Sequence, residues 1–435
     1  MLPIQTDQNP SELEALLKRL CFPASAEPGD RDAKVRTLLS DVRRGGDRAI
    51  RDLTLRFDNV EMEASELRVR EDEIEGAEGA VDPRFKEAVK RAIHNLRAFH
   101  EKLKTPGVSH PGENGEVLES KILPIEKAGL YIPGGTGGTT PLVSTLLMNA
   151  IPAQVAGVPR VIAATPPRRD KTIHPALLYA FKELGLREVY RIGGTQAIAA
   201  MAYGTETIPA VDIICGPGNA WVTEAKRQVY GQVKIDGIFG HSEIVVIADD
   251  GANPRWVASD LMSQAEHNGG EMSLLLTTSA SFAAKVDAAL EGLVAKAARQ
   301  DEIRASFRLR GAIVVVADLD AAVAIANRVA PEHLELHTRE DERLLPRITA
   351  AGAVFMGPWA TEPIGDYICG TNHVLPTGGS ARFSSPLGVD TFLRRMNVIR
   401  YTEKAFRADA PHAITLAEAE GFDAHKGALE RRFDL

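Results

Sequence analysis

The densest run of acid–base groups in the chain is Pro331-Glu332-His333-Leu334-Glu335-Leu336-His337, at the boundary of a helix and a strand. A Glu beside a His at such a boundary can offer one site two bases of different pKa, and a plain polar loop is the competing reading. Leu334 follows His333, so the H-E-x-x-H pattern of hydrolytic zinc helices is not met. A second group lies on the helix predicted from Asn253-Pro254. Asp260, Gln264 and His267 fall at i, i+4 and i+7, beside an apolar stripe of Val257, Leu261 and Ala265. Gln264 and His267 can thus reach one point just before the Asn268-Gly269-Gly270 stop, as metal ligands or as a surface or capping pair. Asp366, in Gly365-Asp366-Tyr367, and His373, after Thr371-Asn372, lie in a Gly/Pro-rich stretch too irregular for plain core. Glu420 and His425 flank Gly421 in the tail.

Glycine-rich turns after strands are the other chemical signal, because helix N-terminal amides attract phosphates and glycine lets a ligand approach. Candidates are Gly134 to Gly138, Gly193-Gly194 and Gly216 to Gly218. None is a G-x-G-x-x-G fingerprint, and no acidic residue stands clearly at the end of a following strand to hold a ribose. Nucleotide binding and ordinary tight turns both fit.

These groups need a scaffold, and the pattern around them is strand, turn, helix, repeated. Strands are predicted at 129–132, 161–164, 189–192 and 211–215, each followed by a turn and a helix. A second series has strands at 244–247, 274–277, 313–316 and 354–356, alternating with helices from about Pro254, Ser281 and Leu319. Two such series predict an α/β fold of two doubly wound, incomplete Rossmann-like domains with parallel sheets. The region 30–100 is helical, broken at Gly45-Gly46. Asn9-Pro10-Ser11-Glu12 starts a short amphipathic arm helix with Leu13, Leu16, Leu17 and Leu20 on one face, docked on a neighbouring subunit or on its own domain. Helices at 413–420 and 424–431, with Asp423 as cap of the second, close the chain.

Bulk properties narrow the partners. At 435 residues the chain exceeds one simple core. Its formal charge of -8 argues against nucleic acid, since neutralising phosphates takes clustered Lys and Arg. Cys21, Cys215 and Cys369 are too few and too scattered for a disulfide framework or a thiolate metal site, which suits a reducing cytoplasm. Residues 1–20 do not read as a signal peptide, and no run of about 18 apolar residues offers a membrane span.

Taken together, these segments resemble histidinol dehydrogenase over nearly the whole chain. The stretches that carry the resemblance are Gly129 to Thr136, Pro141 to Gly157, Gly193 to Ala199, Gly216 to Asn219 with Val222 to Gln228, Ser263 to His267, Ala330 to Leu336, Gly365 to Tyr367, Asn372 to Pro376 with Ala381 to Ser385, and Ala417 to Gly421 with Ala424-His425. The resemblance implies a zinc ion held by Gln264, His267, Asp366 and His425, a set without thiolate that suits a borderline divalent ion. It implies Glu332 and His333 as the catalytic pair. Substrate contacts would come from Ser242, His373 and Glu420 together with Gln264, His267, His333, Asp366 and His425. NAD would meet Tyr131, Gln196 and Asn219.

The activity implied by the resemblance is oxidation of L-histidinol through its aldehyde to L-histidine, in the last steps of histidine biosynthesis, with NAD taking two hydrides. A related zinc/NAD dehydrogenase for another small alcohol, such as sulfopropanediol, or a zinc hydrolase are the alternatives. Two features depart from the family pattern: the loop 134–140 is longer, and His241 stands where Pro usually precedes Ser-Glu. The expected organisation is an arm at 1–25, a first α/β domain from 26–128 and 238–378, a second, NAD-side domain at 129–237, and a tail at 379–435. In a homodimer that tail would be exchanged, completing the partner's site.

Overall fold

The computed structural model describes residues 1–21, 28–135, 138–267 and 269–433. Parts of three sequence expectations therefore lie outside the described residues: the linker after the arm helix, Thr136-Gly137 of the glycine-rich loop, and Asn268 of the helix stop. The chain forms two compact units. One comprises Met1–Leu103 and Glu126–Phe392, the other Lys104–Ile125 and Leu393–Leu435.

Numbering strands along the chain, the larger unit holds two parallel sheets. The six-stranded sheet has the order β1 (Ile4–Thr6), β11 (Gly311–Val315), β10 (Met272–Thr277), β9 (Glu243–Ala248), β12 (His333–His337) and β13 (Ala353–Met356). The five-stranded sheet runs β6 (Val189–Arg191), β5 (Arg160–Thr165), β4 (Lys127–Tyr131), β7 (Ile213–Cys215) and β8 (Lys234–Ile235). In each, the winding reverses beside a central strand, between β9 and β12 and between β4 and β7. The fold is thus α/β with doubly wound parallel sheets, as the alternating pattern predicts.

Strands buried on both faces read as continuous apolar runs, and β9 is wholly buried from Glu243 to Ala248. Its side chains divide by alternation. Val245 and Ile247 join a core with Leu334 and Leu336 of β12, while Ile244, Val246 and Ala248 join another with Val257, Ala258, Leu261 and Ala265. The odd residues of β12, His333, Glu335 and His337, consequently face the side on which the Pro254–Ala265 helix packs. That helix starts where Asn253 accepts the Arg255 amide and Pro254 fills the first turn. On the five-stranded sheet, Tyr131, Ile162, Ile192 and Ile214 share a core with the Pro28–Asp58 and Gly194–Tyr203 helices.

Several local expectations change. The arm helix Pro10–Cys21 packs on its own chain: Leu16, Leu17 and Leu20 enter the core of the six-stranded sheet, and Arg19 donates to the Leu309 carbonyl at 2.7 Å. Ahead of it, β1 pairs with β11 at the sheet edge. Gly45-Gly46 bends the Pro28–Asp58 helix rather than ending it, with Gly46 at φ 53°. Residues 333–337 are a strand, and Glu362–Tyr367 is a short helix where the sequence predicts irregular loop. The smaller unit contains an antiparallel sheet that the sequence pattern does not announce: β14 (Leu393–Arg400) against β3 (Val117–Pro124), and β3 against β2 (Val108–Pro111). It ends in the helices Glu403–Ala419 and Asp423–Glu430. Phe422 occupies the cap of the last helix, and Asp423 lies in its first turn.

Candidate active site

The chemistry-bearing residues gather at the amino edge of the six-stranded sheet. His333 is the first residue of β12 and pairs in register with Ile244 of β9. Its Nδ1 lies 3.0 Å from the Glu243 carbonyl. A carbonyl can only accept, so Nδ1 carries the proton there, and Nε2 is left as the nitrogen free to exchange one. Nε2 is buried and has no hydrogen-bond partner. It sits 3.7 Å from Asp366 Oδ1, close enough for strong attraction and too long for a hydrogen bond. Asp366 Oδ2 is also 3.7 Å from Nδ1 of His373, which is half-buried.

Glu332 is tethered differently. Its Oε2 accepts the Glu243 amide at 3.0 Å, so one residue of β9 holds both catalytic candidates through its backbone. Burial pushes the Glu332 carboxyl up to about 7, against the pull of His333. Burial acts to lower His333, but Glu332, Asp366 and Glu362 outweigh it and lift the imidazole to about 10. Asp366 is held well below the usual carboxylate range: burial raises it, and the two histidines more than compensate.

Glu362 joins this site without any advance signal in its own stretch of sequence. It is buried, its Oε2 accepts from Ser263 Oγ at 3.1 Å, and with His333 and Asp366 it forms a cluster whose ligating atoms lie within 4.8 Å of one another. Burial, then repulsion from Asp366, pushes it up to about 8. Three carboxyls around one imidazole leave an excess of negative charge that invites a cation.

Gln264 and His267 approach this region from the Pro254–Ala265 helix. The helix stops at Ala265, two residues short of His267, whose Nδ1 turns back to the Gln264 carbonyl at 2.9 Å. The His267 ring is exposed, whereas Gln264 is 1% exposed and its Oε1 has no partner. A buried, unpaired amide oxygen is costly unless something binds it. Together with one carboxylate and imidazoles it makes an O/N donor set that fits a borderline divalent ion. Ser242 immediately precedes β9 at the same edge, and its carbonyl accepts the Met272 amide at 3.0 Å. Beside it, His241 is half exposed with Nδ1 3.6 Å from Glu271 Oε1. Glu420 and His425 are exposed in the smaller unit, where the His425 ring lies against Phe422.

The remaining candidates cluster at the carboxyl edge of the five-stranded sheet. Tyr131 ends β4, and its hydroxyl accepts the Gly194 amide at 3.1 Å. Gln196, 2% exposed, follows in the first turn of the Gly194–Tyr203 helix. Asn219 is exposed and caps the Ala220–Val229 helix by accepting the Trp221 and Val222 amides. Between them, Gly216 has φ 120°, and a Cβ there would lie 2.0 Å from the Tyr131 carbonyl oxygen, so only glycine fits. The turn is clamped from below. Asp236 accepts the Gly216 amide at 2.7 Å, and the buried Lys226 ammonium donates to the Gly216 carbonyl at 2.9 Å while pairing with Asp236. In the longer loop, Thr140 N–H closes back onto the Gly134 carbonyl at 2.9 Å.

A family model described as histidinol dehydrogenase matches residues 24–433. The chain belongs to the histidinol dehydrogenase family. Histidinol dehydrogenase 2 of Nostoc sp. is 45% identical over 433 residues, covering 99% of each chain. The Moorella thermoacetica histidinol dehydrogenase is 46% identical over 400 residues, 92% of this chain and 94% of its own. The crystal structure of histidinol dehydrogenase from Elizabethkingia anophelis superposes with a TM-score of 0.93 at 35% identity, covering 100% of this chain and 98% of that one. Membership of the histidinol dehydrogenase family makes the protein an oxidoreductase of a small-molecule substrate and carries with it the use of NAD and a metal. Among the described residues no helix is long and apolar enough to cross a membrane.

Within this family setting, the residues of the site that sequence reasoning does not single out are Glu362, Glu243 and Arg310, while Glu335 belongs to the acid–base run without being given a role there. Arg310 donates to Glu243 Oε1 at 2.8 Å and fixes the strand residue whose backbone holds Glu332 and His333. Two signals for them do exist in the sequence. His333, Glu335 and His337 recur at the strand period, and Glu243 is an acid placed immediately before an apolar run.

Proposed function

We propose that the protein oxidises L-histidinol to L-histidine by way of L-histidinal, giving two hydrides to two NAD and taking one oxygen from water. The observation that carries this reading is the pairing of Glu332 and His333 on the Glu243 backbone beside the carboxyls of Glu362 and Asp366, with a buried, unpaired Gln264 oxygen on the adjoining helix. It fits a substrate that is cationic and must be deprotonated twice.

In this reading Gln264, His267 and Asp366, with His425, would hold zinc, which supplies a Lewis-acidic anchor for the imidazole and amine of the substrate; NAD supplies the hydride acceptor. The zinc and the cationic substrate would offset the carboxylates that lift His333, and its Nε2, then unprotonated, takes the hydroxyl proton as the carbinol hydrogen departs. Nδ1–H on the Glu243 carbonyl keeps the ring in place and stabilises the imidazolium formed. Glu332 takes the proton of the water that adds to the aldehyde carbon, giving the hydrate whose second carbinol hydrogen is then lost. Glu420, Asp366 and Glu332 offset the substrate's positive charge, with Ser242 and His373 as flanking contacts. NAD would lie against Tyr131, Gln196 and Asn219, where the forced glycine turn at Gly216 supports close approach of a phosphate-bearing ligand.

The same reading makes the molecule a homodimer in which Glu420 and His425 complete the neighbour's site, for both are exposed and carry polar groups suited to it. Cytoplasmic residence agrees with the free thiols Cys21, Cys215 and Cys369, the last of them exposed. The test is NADH formation from L-histidinol against a panel of small alcohols including sulfopropanediol, with metal content measured on the same sample before and after chelation. Two NADH per histidinol, lost on chelation and restored by zinc, is the expected outcome. Preference for another alcohol, or full activity without metal, would overturn it.

A further inference from the structure

Below the catalytic pair, the same face of β12 carries a second buried polar group with no role in the chemistry above. Glu335 is fully buried; its Oε1 accepts the Glu362 backbone amide at 2.8 Å and its Oε2 lies 3.2 Å from His337 Nε2. The same Nε2 is 3.8 Å from Asp260 Oδ2 on the Pro254–Ala265 helix. These three ligating groups are mutually close, but the atoms that would face a cation are already spent on one another and on the Glu362 amide.

The arrangement of elements gives the group its meaning. Along β12, His337 and Glu335 lie away from the sheet's amino edge and His333 lies at it. The Glu362–Tyr367 helix runs antiparallel to the strand, since Glu362 meets Glu335 and Asp366 meets His333. The Pro254–Ala265 helix places Asp260 beside His337 and ends at the same edge, one turn further on, with Gln264. Four helix residues span about 6 Å, and two strand residues about 7 Å, so ties made at one end of this layer set the spacing at the other. Burying two carboxyls and an imidazole is expensive, and an apolar filling of equal volume would usually stabilise as much or more. The gain from a polar tie is directional: Glu335 holds the Glu362 amide and the His337 ring by hydrogen bonds, and that ring stands at ion-pair distance from Asp260 on the other helix.

We propose that Asp260, His337 and Glu335 are positioning residues that register the Glu362–Tyr367 helix against the Pro254–Ala265 helix, so that the Asp366 carboxylate and the Gln264 amide oxygen converge on one cation. The proposal rests on the zinc reading above. It differs from a merely stabilising role in what it moves: metal affinity, with NAD binding at the other sheet left alone.

The experiment measures zinc affinity by competition with a chromogenic chelator for the parent protein, Glu335→Ala, Glu335→Gln and Asp366→Asn, with NAD binding and circular dichroism as parallel readouts. Partners that orient metal ligands typically contribute about ten- to a hundredfold to affinity. Glu335→Ala should lose zinc affinity in that range, and Glu335→Gln should recover most of it, because an amide oxygen still accepts the Glu362 N–H. NAD binding and the spectrum should not change. Parent-like affinity in Glu335→Ala beside a loss in Asp366→Asn overturns the positioning role. Parent-like affinity in Asp366→Asn overturns the zinc reading itself. Should Glu335→Ala not fold, Asp260→Asn carries the test: a several-fold loss is expected, and no loss overturns the proposal.

Discussion

The two parallel sheets of the larger unit are built on the same plan and used at opposite edges. In the five-stranded sheet the candidate cofactor residues lie at the carboxyl edge, Tyr131 at the end of β4 and Asn219 after that of β7, where the winding reverses and ligands of open α/β sheets ordinarily bind, and Gln196 after β6. In the six-stranded sheet Glu332, His333 and Ser242 lie at the amino ends of β12 and β9. The difference comes from what each edge presents. Strand-to-helix turns offer backbone amides, which suit a cofactor and need glycine at Gly216 for steric reasons. The amino edge receives the returning ends of the Pro254–Ala265 and Glu362–Tyr367 helices, which deliver side chains: Gln264, Asp366 and, across from them, His333. In the proposed reading one edge recognises through main chain and the other reacts through titratable groups.

If the division of labour holds, damage at one edge should leave the other's function intact. The largest effect is expected from His333→Asn, which keeps a polar side chain but removes the base. Both oxidation steps should slow by about 10²–10⁴-fold, while NAD binding measured by fluorescence titration is unchanged. A comparable loss of NAD binding would break the comparison.

Next comes Glu332→Gln, which should slow aldehyde oxidation far more than alcohol oxidation, by about 10²–10⁴-fold for a lost general base. Because burial holds the Glu332 carboxyl near 7 and only its ionised form can take a proton, the parent's aldehyde step should rise with pH through about 7 and then level off. In Glu332→Gln that inflection should disappear from stopped-flow pH profiles of histidinal oxidation. Its persistence would assign the titration to another group.

A smaller effect, confined to the other sheet, is expected from Gly216→Ala. Forcing a side chain into its positive-φ conformation costs about 1–3 kcal/mol, with the Tyr131 carbonyl in the way. As 1.4 kcal/mol is about a tenfold change in a constant, NAD should bind about tenfold more weakly or worse. Zinc affinity should not change. A variant that lost zinc and kept NAD would reverse the assignment of edges.

The contrast between the edges also explains what can be read from sequence. The winding of both sheets is legible because strands buried on two faces must be apolar throughout, and glycine and proline mark the turns between them. The turn at Gly216 is visible for a steric reason local to a few residues. Glu362 and the Glu335 tie are not, because their significance comes from an antiparallel helix laid over a strand, and no local spacing records that. His333 to His337 reads as the margin of a strand since polar residues at period two normally face water; here they face the Pro254–Ala265 helix. The sheet of β2, β3 and β14 escapes notice because its strands come from distant parts of the chain and carry mixed, half-exposed faces.

That last sheet has a consequence for how the protein is made. Residue 117 pairs with residue 400, and β3 is flanked by β2 on one side and β14 on the other. During synthesis β2 and β3 leave the ribosome early and can form only a two-stranded ribbon, which is marginal by itself in water. Until residues 393–400 arrive, one edge of β3 offers unpaired amides and carbonyls to any neighbouring strand. The sheet closes only when nearly all of the chain has been delivered. A nascent chain stalled before β14 would therefore be both incomplete and adhesive, and it would be a natural client for whatever machinery guards unfinished proteins.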